Sequence, residues 1–181
     1  KAKGFGKSVS GSTGGMSKMI PVAAAAAAGV AALGLAMSKV SQQMKRLDAV
    51  AKKARTLGIS GQDLMGFQHA AQLAGVEADS FSRAMMDMQK NIGDAMAGTG
   101  EAKNALAMIG LEIKDLAQMD ASEQFLVIAD KIAKIENAAE RAAVAARVFG
   151  GAGADLIPML TQGSEAIREQ MAELERLQGV I

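Results

Sequence analysis

The sequence predicts an all-α protein: a long N-terminal helix, apolar and then amphipathic, followed by a string of short Gly-capped helices and a coiled-coil-like last helix. Three observations predict it. Apolar residues recur at steps of three and four through most of the chain after Met37. Gly-apolar pairs at Gly58-Ile59, Gly75-Val76 and Gly110-Leu111 close these runs as helix C-caps do. No stretch alternates apolar and polar residues between turn signals, as a half-buried strand would.

Four segments make up the chain. Residues 1–19, beginning KAKGFGKSVSGSTGGMSK, hold Gly, Ser and Lys with almost nothing to bury, and read as a flexible basic segment. Gly6-Lys7-Ser8 has the ending of a phosphate-binding loop, but the Gly needed five residues earlier is Lys1 and no strand precedes it. A linker is the better reading. Residues 20–58 form the long helix. Its first part, IPVAAAAAAGVAALGLAM (20–37), is long enough to enter a bilayer but Ala-rich, and Ala is near neutral for insertion. Close packing of such helices against one another is preferred, with conditional membrane insertion second. A signal peptide is disfavoured, because a charged helix follows the apolar run instead of a cleavage segment. From Met37 a seam of Val40, Met44, Leu47, Ala51 and Ala54 forms, with Lys39, Lys45, Arg46, Lys52, Lys53 and Arg55 outside it.

Residues 59–162 read as a helical module. Ser60 starts a helix to about Ala74, with Asp63 in its first turn. Asp79 or Ser80 starts another, to about Met96, with Phe81, Met85, Met88 and Ile92 along one face. Glu101 to Ile109 is short. Asp120-Ala-Ser-Glu123 and Asn137-Ala-Ala-Glu140 resemble capping boxes and start helices of about Ala121–Lys134 and Ala138–Val148. A Gly-rich turn, Phe149 to Gly153, precedes a brief helix, Ala154 to Leu160. Residues 163–181 are an amphipathic, coiled-coil-like helix capped by Ser164, with Ile167, Met171, Leu174 and Leu177 on one side. One internal echo stands out: Leu57-Gly-Ile-x-x-x-Asp-Leu64 matches Ile109-Gly-Leu-x-x-x-Asp-Leu116. Two instances make a reused turn rather than a solenoid.

Composition bounds the function. The 181 residues contain no Cys, Trp or Tyr and five Phe, so disulfides and thiolate sites are excluded and a thin, Ala-rich core is expected. Helices leaning on one another or on further copies are favoured over an independent globule. The chain starts at Lys1 with no initiator Met and is expected to be a piece of something longer. Residues 1–58 hold ten Lys/Arg against Asp48 alone, whereas 59–181 hold ten against eighteen Asp/Glu, so a basic arm precedes an acidic body. His69 is the only His and lies among Gln residues on a helix, a poor catalyst. The acidic residues Asp115 and Asp120 sit at helix ends, where carboxylates are favoured anyway. No zinc or calcium-loop spacing occurs. The thirteen Met lie mostly at helical apolar positions, as adaptable packing. Catalytic, cofactor and metal sites are all expected to be absent, and the chain is not expected to be an enzyme.

From Leu57 onward the sequence resembles the tail tape measure proteins of long-tailed bacteriophages. The residues that carry this are LGISGQDLMGFQHAAQLAGVEADSF (57–81) and ALAMIGLEIKDLAQMDASEQFLVIADKIAKIENAAERAAVAARVFGGAGADLIPML (105–160). The FGGAGADLIPML ending is the most specific part, and the likeness spans roughly 20–181. It implies a structural virion tail protein, in several copies in the lumen of the tail tube, that sets tail length during assembly in the host cytoplasm. It implies partners in the tail tube protein, tail tip or baseplate proteins and tail assembly chaperones. It also implies release at infection, with genome ejection and a role for the membrane-active apolar helix at the host envelope. The seams at 37–54 and 167–177 favour a homo-oligomer, a trimer being the candidate order. A DNA contact by the basic arm is a weaker candidate, since no aromatics accompany it to stack on bases. The alternative function is a membrane-active helical protein, a pore-forming toxin or translocator, inserting 20–37. A third is a parent enzyme with its catalytic domain outside this piece.

Overall fold

The computed structural model describes residues 41–42 and 44–179. The expected flexible segment 1–19, the apolar helix at 20–37, and Val40 of the seam lie outside them. The chain divides into two units at Leu47/Asp48, and the second, Asp48–Ile181, holds the helical module. Among the described residues every regular element is helical. The first described helix begins before this division. The helix continues to residue 57, and its 48–57 portion is called α1.

The second unit is built around the longest of its helices. Ala78–Met96 (α3) places Phe81, Met85, Met88 and Ile92 at three-four spacing, and all four are buried. Gly61–Leu73 (α2) precedes it, and Ala102–Met108 (α4), Ile113–Leu116 (α5), Ala121–Ala133 (α6) and Ala138–Phe149 (α7) follow. A 3₁₀ turn, Gly150–Ala152, leads to Ile157–Leu160 (α8) and Gly163–Gln178 (α9). Helix α3 touches α2, α4, α5, α6 and α7, while α9 lies along α2 and α6.

The starts of three helices follow from local chemistry. Ser60 Oγ accepts from Asp63 N–H, Asp120 Oδ1 from Glu123 N–H, and Asn137 Oδ1 from Ala139 and Glu140 N–H. Helix ends are closed from neighbouring helices. Gln89 Nε2 donates to Leu57 O, Asn91 Nδ2 to Val148 O at 3.0 Å, and Gln124 Nε2 to Leu116 O at 2.8 Å. Long amides thus satisfy carbonyls that a helix end leaves without an internal partner.

Two expectations are corrected. Ser164 is not the cap of α9, which begins at Gly163; its N–H donates instead to Asp130 Oδ1 on α6 at 2.7 Å, so a carboxylate from another helix serves that terminus. The stretch 113–116 is a four-residue helix. The thin core is not found in this unit. Four of the five Phe converge: Phe67, Phe81, Phe125 and Phe149 come from α2, α3, α6 and α7, with Phe125 at centroid distances of 5.2, 5.4 and 5.7 Å from the other three. Such edge-to-face pairs add ~0.5–1.5 kcal/mol each beyond the area they bury. Few aromatics suffice because they share one place and because Ala lets the helices around them approach closely. The close approach is most marked at Gly153, where a Cβ would stand 2.3 Å from the backbone oxygen of Ala145. That contact gives Gly153 of the FGGAG stretch a packing reason.

The last helix also differs from a free coiled-coil strand. Ile167 is fully buried and Met171 packs on the core, so the first half of its seam is covered within the unit. Only its end stays open, with Leu177 58% exposed.

Candidate functional site

His69 is half-buried on α2, and among the described residues no three His, Asp or Glu groups converge as metal ligands. Asp115 is exposed on α5, and Asp120 is committed to capping α6. The ionisable groups with displaced pKa values are on the surface and belong to ion pairs. Lys53 Nζ donates to Asp79 at 2.7 Å, and that bond, then the Lys53 charge, then Arg83, holds the Asp79 carboxyl below its usual range. Glu112 accepts from Lys114 at 2.6 Å and holds the ammonium charged to higher pH than usual. Both pairs are exposed, so each contributes little to stability.

What the unit offers is a groove. Between α1 and α3 lies a cleft of about 250 Å³ lined by Lys52, Lys53, Thr56, Leu57, Ser82 and Met86. Two elements make it. Leu57 and Ala54 bury the last turns of α1, which sets its distance from α3. Met86 then stands at the rim, 45% exposed, while the adjacent Met85 points into the core.

The polar atoms around this groove are already engaged. Thr56 Oγ1 donates to Lys52 O at 3.1 Å, and Ser82 Oγ donates to Ala78 O at 2.8 Å. Lys52 pairs with Asp48 at 2.9 Å and Lys53 with Asp79 at 2.7 Å. A polar ligand would find nothing there in need of a hydrogen bond. The free wall is apolar: Leu57, Met86 and the methylene stems of the two lysines. The groove therefore suits an apolar side chain, with cations at its edge. A second, more open depression lies at the α2–α3 turn, lined by Gln72, Gly75, Val76, Glu77, Ala78 and Asp79. Its side chains offer no cluster of donors or nucleophiles.

The residue types alone did not point to this groove. Met86 follows Met85, and a pair of adjacent Met on a helix does not say which one faces inward. The available signal is the phase of Phe81, Met85, Met88 and Ile92, which leaves Met86 off the buried stripe. The lysines read from sequence as an outer basic face, and they are exposed here.

No known protein family, curated protein or solved structure matches the chain.

Proposed function

We propose that this chain is a structural component of a bacteriophage tail, a piece of a tape measure protein that works by shape and by association with its own copies. The observation that supports this most is where the two family-like stretches meet. Phe67 and Phe81 come from 57–81, Phe125 and Phe149 from 105–160, and the four rings form one cluster. The ordered motifs thus correspond to one folding unit rather than to scattered helical likenesses. A unit whose polar groups are used for caps, tethers and exposed pairs, with an apolar groove at its surface, fits a part that is assembled rather than one that turns over a substrate.

On this reading the helical module is a compact element of the tape measure, and the length-setting rod lies elsewhere in the parent chain. Its partners are its own copies, the tail tube protein, the tail tip or baseplate proteins and the assembly chaperones. Its places are the tail lumen in the virion, the host cytoplasm during assembly and the host envelope at infection. The membrane-active reading rests on 20–37; among the described residues no helix is long and apolar enough to cross a membrane.

The test is co-expression of residues 1–181 with the tube subunits encoded beside it. Co-sedimentation with assembled tubes, protected from protease, is the expected result. Liposome leakage by residues 15–60 together with no affinity for tube subunits would replace this reading with the membrane-active one. Cleavage of peptidoglycan by the purified chain would overturn its non-enzymatic character. A very long reading frame between tail-chaperone and baseplate genes is the expected genomic setting.

A further inference from the structure

We propose that α1 is a latch on self-association: docked on its own module it covers one end of its apolar stripe, and swinging out about Gly58 it frees the whole stripe to pack against α1 of other copies. The inference rests on the reading of the chain as a self-associating structural protein and names what regulates that association.

One helix carries two apolar faces that share residues. The stripe read from the sequence runs through Met44, Leu47, Ala51 and Ala54. Its beginning is open, with Met44 66% and Leu47 60% exposed, and its end is closed, with Ala54 2% exposed. What closes it is the module. Val50, Ala54 and Leu57 recur at helical spacing and pack on the hydrophobic core. A helix laid along the full stripe needs Ala54 in the seam and Val50 and Leu57 on its flank. The module already occupies those three residues. Docking of α1 and zipping of the full stripe therefore exclude each other.

The attachment that holds α1 down is slight. Among the described residues two polar links join it to α3: Lys53 Nζ donates to Asp79 at 2.7 Å, and Gln89 Nε2 donates to Leu57 O. The ion pair is exposed and weak. The outer side of the joint is an open groove of about 250 Å³ rather than a packed contact. The four clustered Phe rings come from α2, α3, α6 and α7, so the cluster stays whole when α1 leaves. Gly58, with φ of 64°, supplies the pivot, because a residue without a Cβ turns there at no steric cost.

The occupant of the freed stripe is α1 of a second copy, and the placement of charge fits it. Lys45, Arg46, Lys52 and Lys53 lie about 120° or more around the helix from the centre of the stripe and point away. Asp48 and Arg55 flank the stripe on one side, Val50 and Leu57 on the other. In parallel copies the charged flank of one helix meets the apolar flank of the next, so like charges do not face each other and the Arg55 stem covers apolar surface. A bundle built this way closes by rotation, so it has a fixed copy number. The latch supplies the timing. In a dilute chain the docked state keeps the end of the stripe covered; where copies are gathered, their mutual packing selects the released state by mass action.

The latch is tested on the full chain from its α3 side, which leaves the stripe unchanged. Gln89→Ala with Asp79→Asn should tighten self-association at least about tenfold in sedimentation equilibrium, since a released state that is a small fraction of the chain lowers the apparent affinity by that fraction. Leu47 is exposed in the docked chain, so Leu47→Glu leaves the fold alone, and added to the released variant it should abolish the gain. The chain has no Cys, so Lys53→Cys with Asp79→Cys, joined by a short bis-maleimide, fastens α1 in place. The joined chain should associate at least about tenfold more weakly than the same chain unjoined. A joined chain that associates as well as the unjoined one overturns the proposal, and so does a gain that survives Leu47→Glu. The two levels separate. Association of the wild type that neither release nor fastening changes removes the latch and leaves self-association standing; wild-type and released chains that are both monomeric at every concentration remove both.

Discussion

The same eight-residue pattern occurs twice in this unit, at 57–64 and at 109–116, and the two copies end differently. Each turn is made alike. Gly58 and Gly110 have φ of 64° and 72°, a region open to Gly at no steric cost. Ile59 N–H reaches back to Ala54 O at 3.1 Å, and Leu111 N–H to Leu106 O at 2.9 Å, which closes the preceding helix in both places. Leu64 and Leu116 are both fully buried. Yet the first turn opens a helix of 13 residues and the second a helix of 4. Two things differ. Ser60 caps α2 with its hydroxyl, whereas Glu112, in the same extended conformation, makes no side-chain cap. After Leu64 the buried positions continue at Phe67, Ala70 and Ala71; after Leu116 come exposed Ala117 and Gln118, and then Asp120, which caps another helix. The turn is local, but the length of the helix after it is decided by what that helix can bury.

The largest test of this comparison is at the two leucines. Leu64→Ala and Leu116→Ala should each destabilise the protein by ~2–5 kcal/mol, the range for emptying a closed core site. Urea denaturation followed by circular dichroism measures both. A loss below ~1 kcal/mol for Leu116→Ala would mean that the short helix is only draped on the core, and that the two turns are alike in backbone alone.

Next come the glycines. Gly58→Ala and Gly110→Ala each force an L-residue into left-handed backbone, at a cost of ~1–2 kcal/mol. A Cβ at Gly110 meets nothing within 4 Å, and one at Gly58 meets only Gln89 Nε2 at 3.7 Å. Both losses should therefore be conformational and nearly equal. A clearly larger loss at Gly58 would point to Gln89, which donates to Leu57 O, as the more important part of the first turn.

The caps give a smaller effect of opposite sign in the two copies. Ser60→Ala should cost ~1 kcal/mol. Glu112→Ser should stabilise by a few tenths of a kcal/mol, because the backbone is already extended there and the exposed pair that is lost contributes little. Thermal melts of the two variants against wild type check this. A destabilised Glu112→Ser would mean that the Glu112–Lys114 pair matters more than an exposed pair should.

Much of this architecture is legible in the residues. Ser60, Asp120 and Asn137 announce helix starts because capping is local, and the Gly-apolar pairs announce stops for the same reason. The buried stripe of α3 is visible as periodicity. What sequence hides is whatever depends on a distant element. Asp130 capping α9 joins residues 34 apart, so Ser164 looked like the cap. The cluster around Phe125 collects rings from four helices, so a chain poor in aromatics looked thin in the core. Ile113–Leu116 is too short for any period to register. The groove needs α1 and α3 set side by side before Met86 becomes its rim.

The smallest effect lies at the alkaline end and belongs to the second turn alone. Glu112 accepts a hydrogen bond from Lys114, its charge adds to the attraction, and Asp115 contributes after it, so the Lys114 pKa is raised above 10.5 in the folded chain. A raised ammonium stabilises the folded state fully below its unfolded value, and that stabilisation is lost as pH rises through the folded value. The first turn has no such group, since Ser60 occupies the position of Glu112. The melting temperature of wild type relative to Glu112→Gln should thus be slightly higher at about pH 9, and the difference should be smaller at a pH above the raised Lys114 value. Ser60→Ala measured at the same two pH values is the control, because a hydroxyl cap does not titrate there and its deficit should stay constant. If the Glu112→Gln difference persisted undiminished at the higher pH, the Glu112 carboxylate would be acting on the helix N-terminus and not through Lys114.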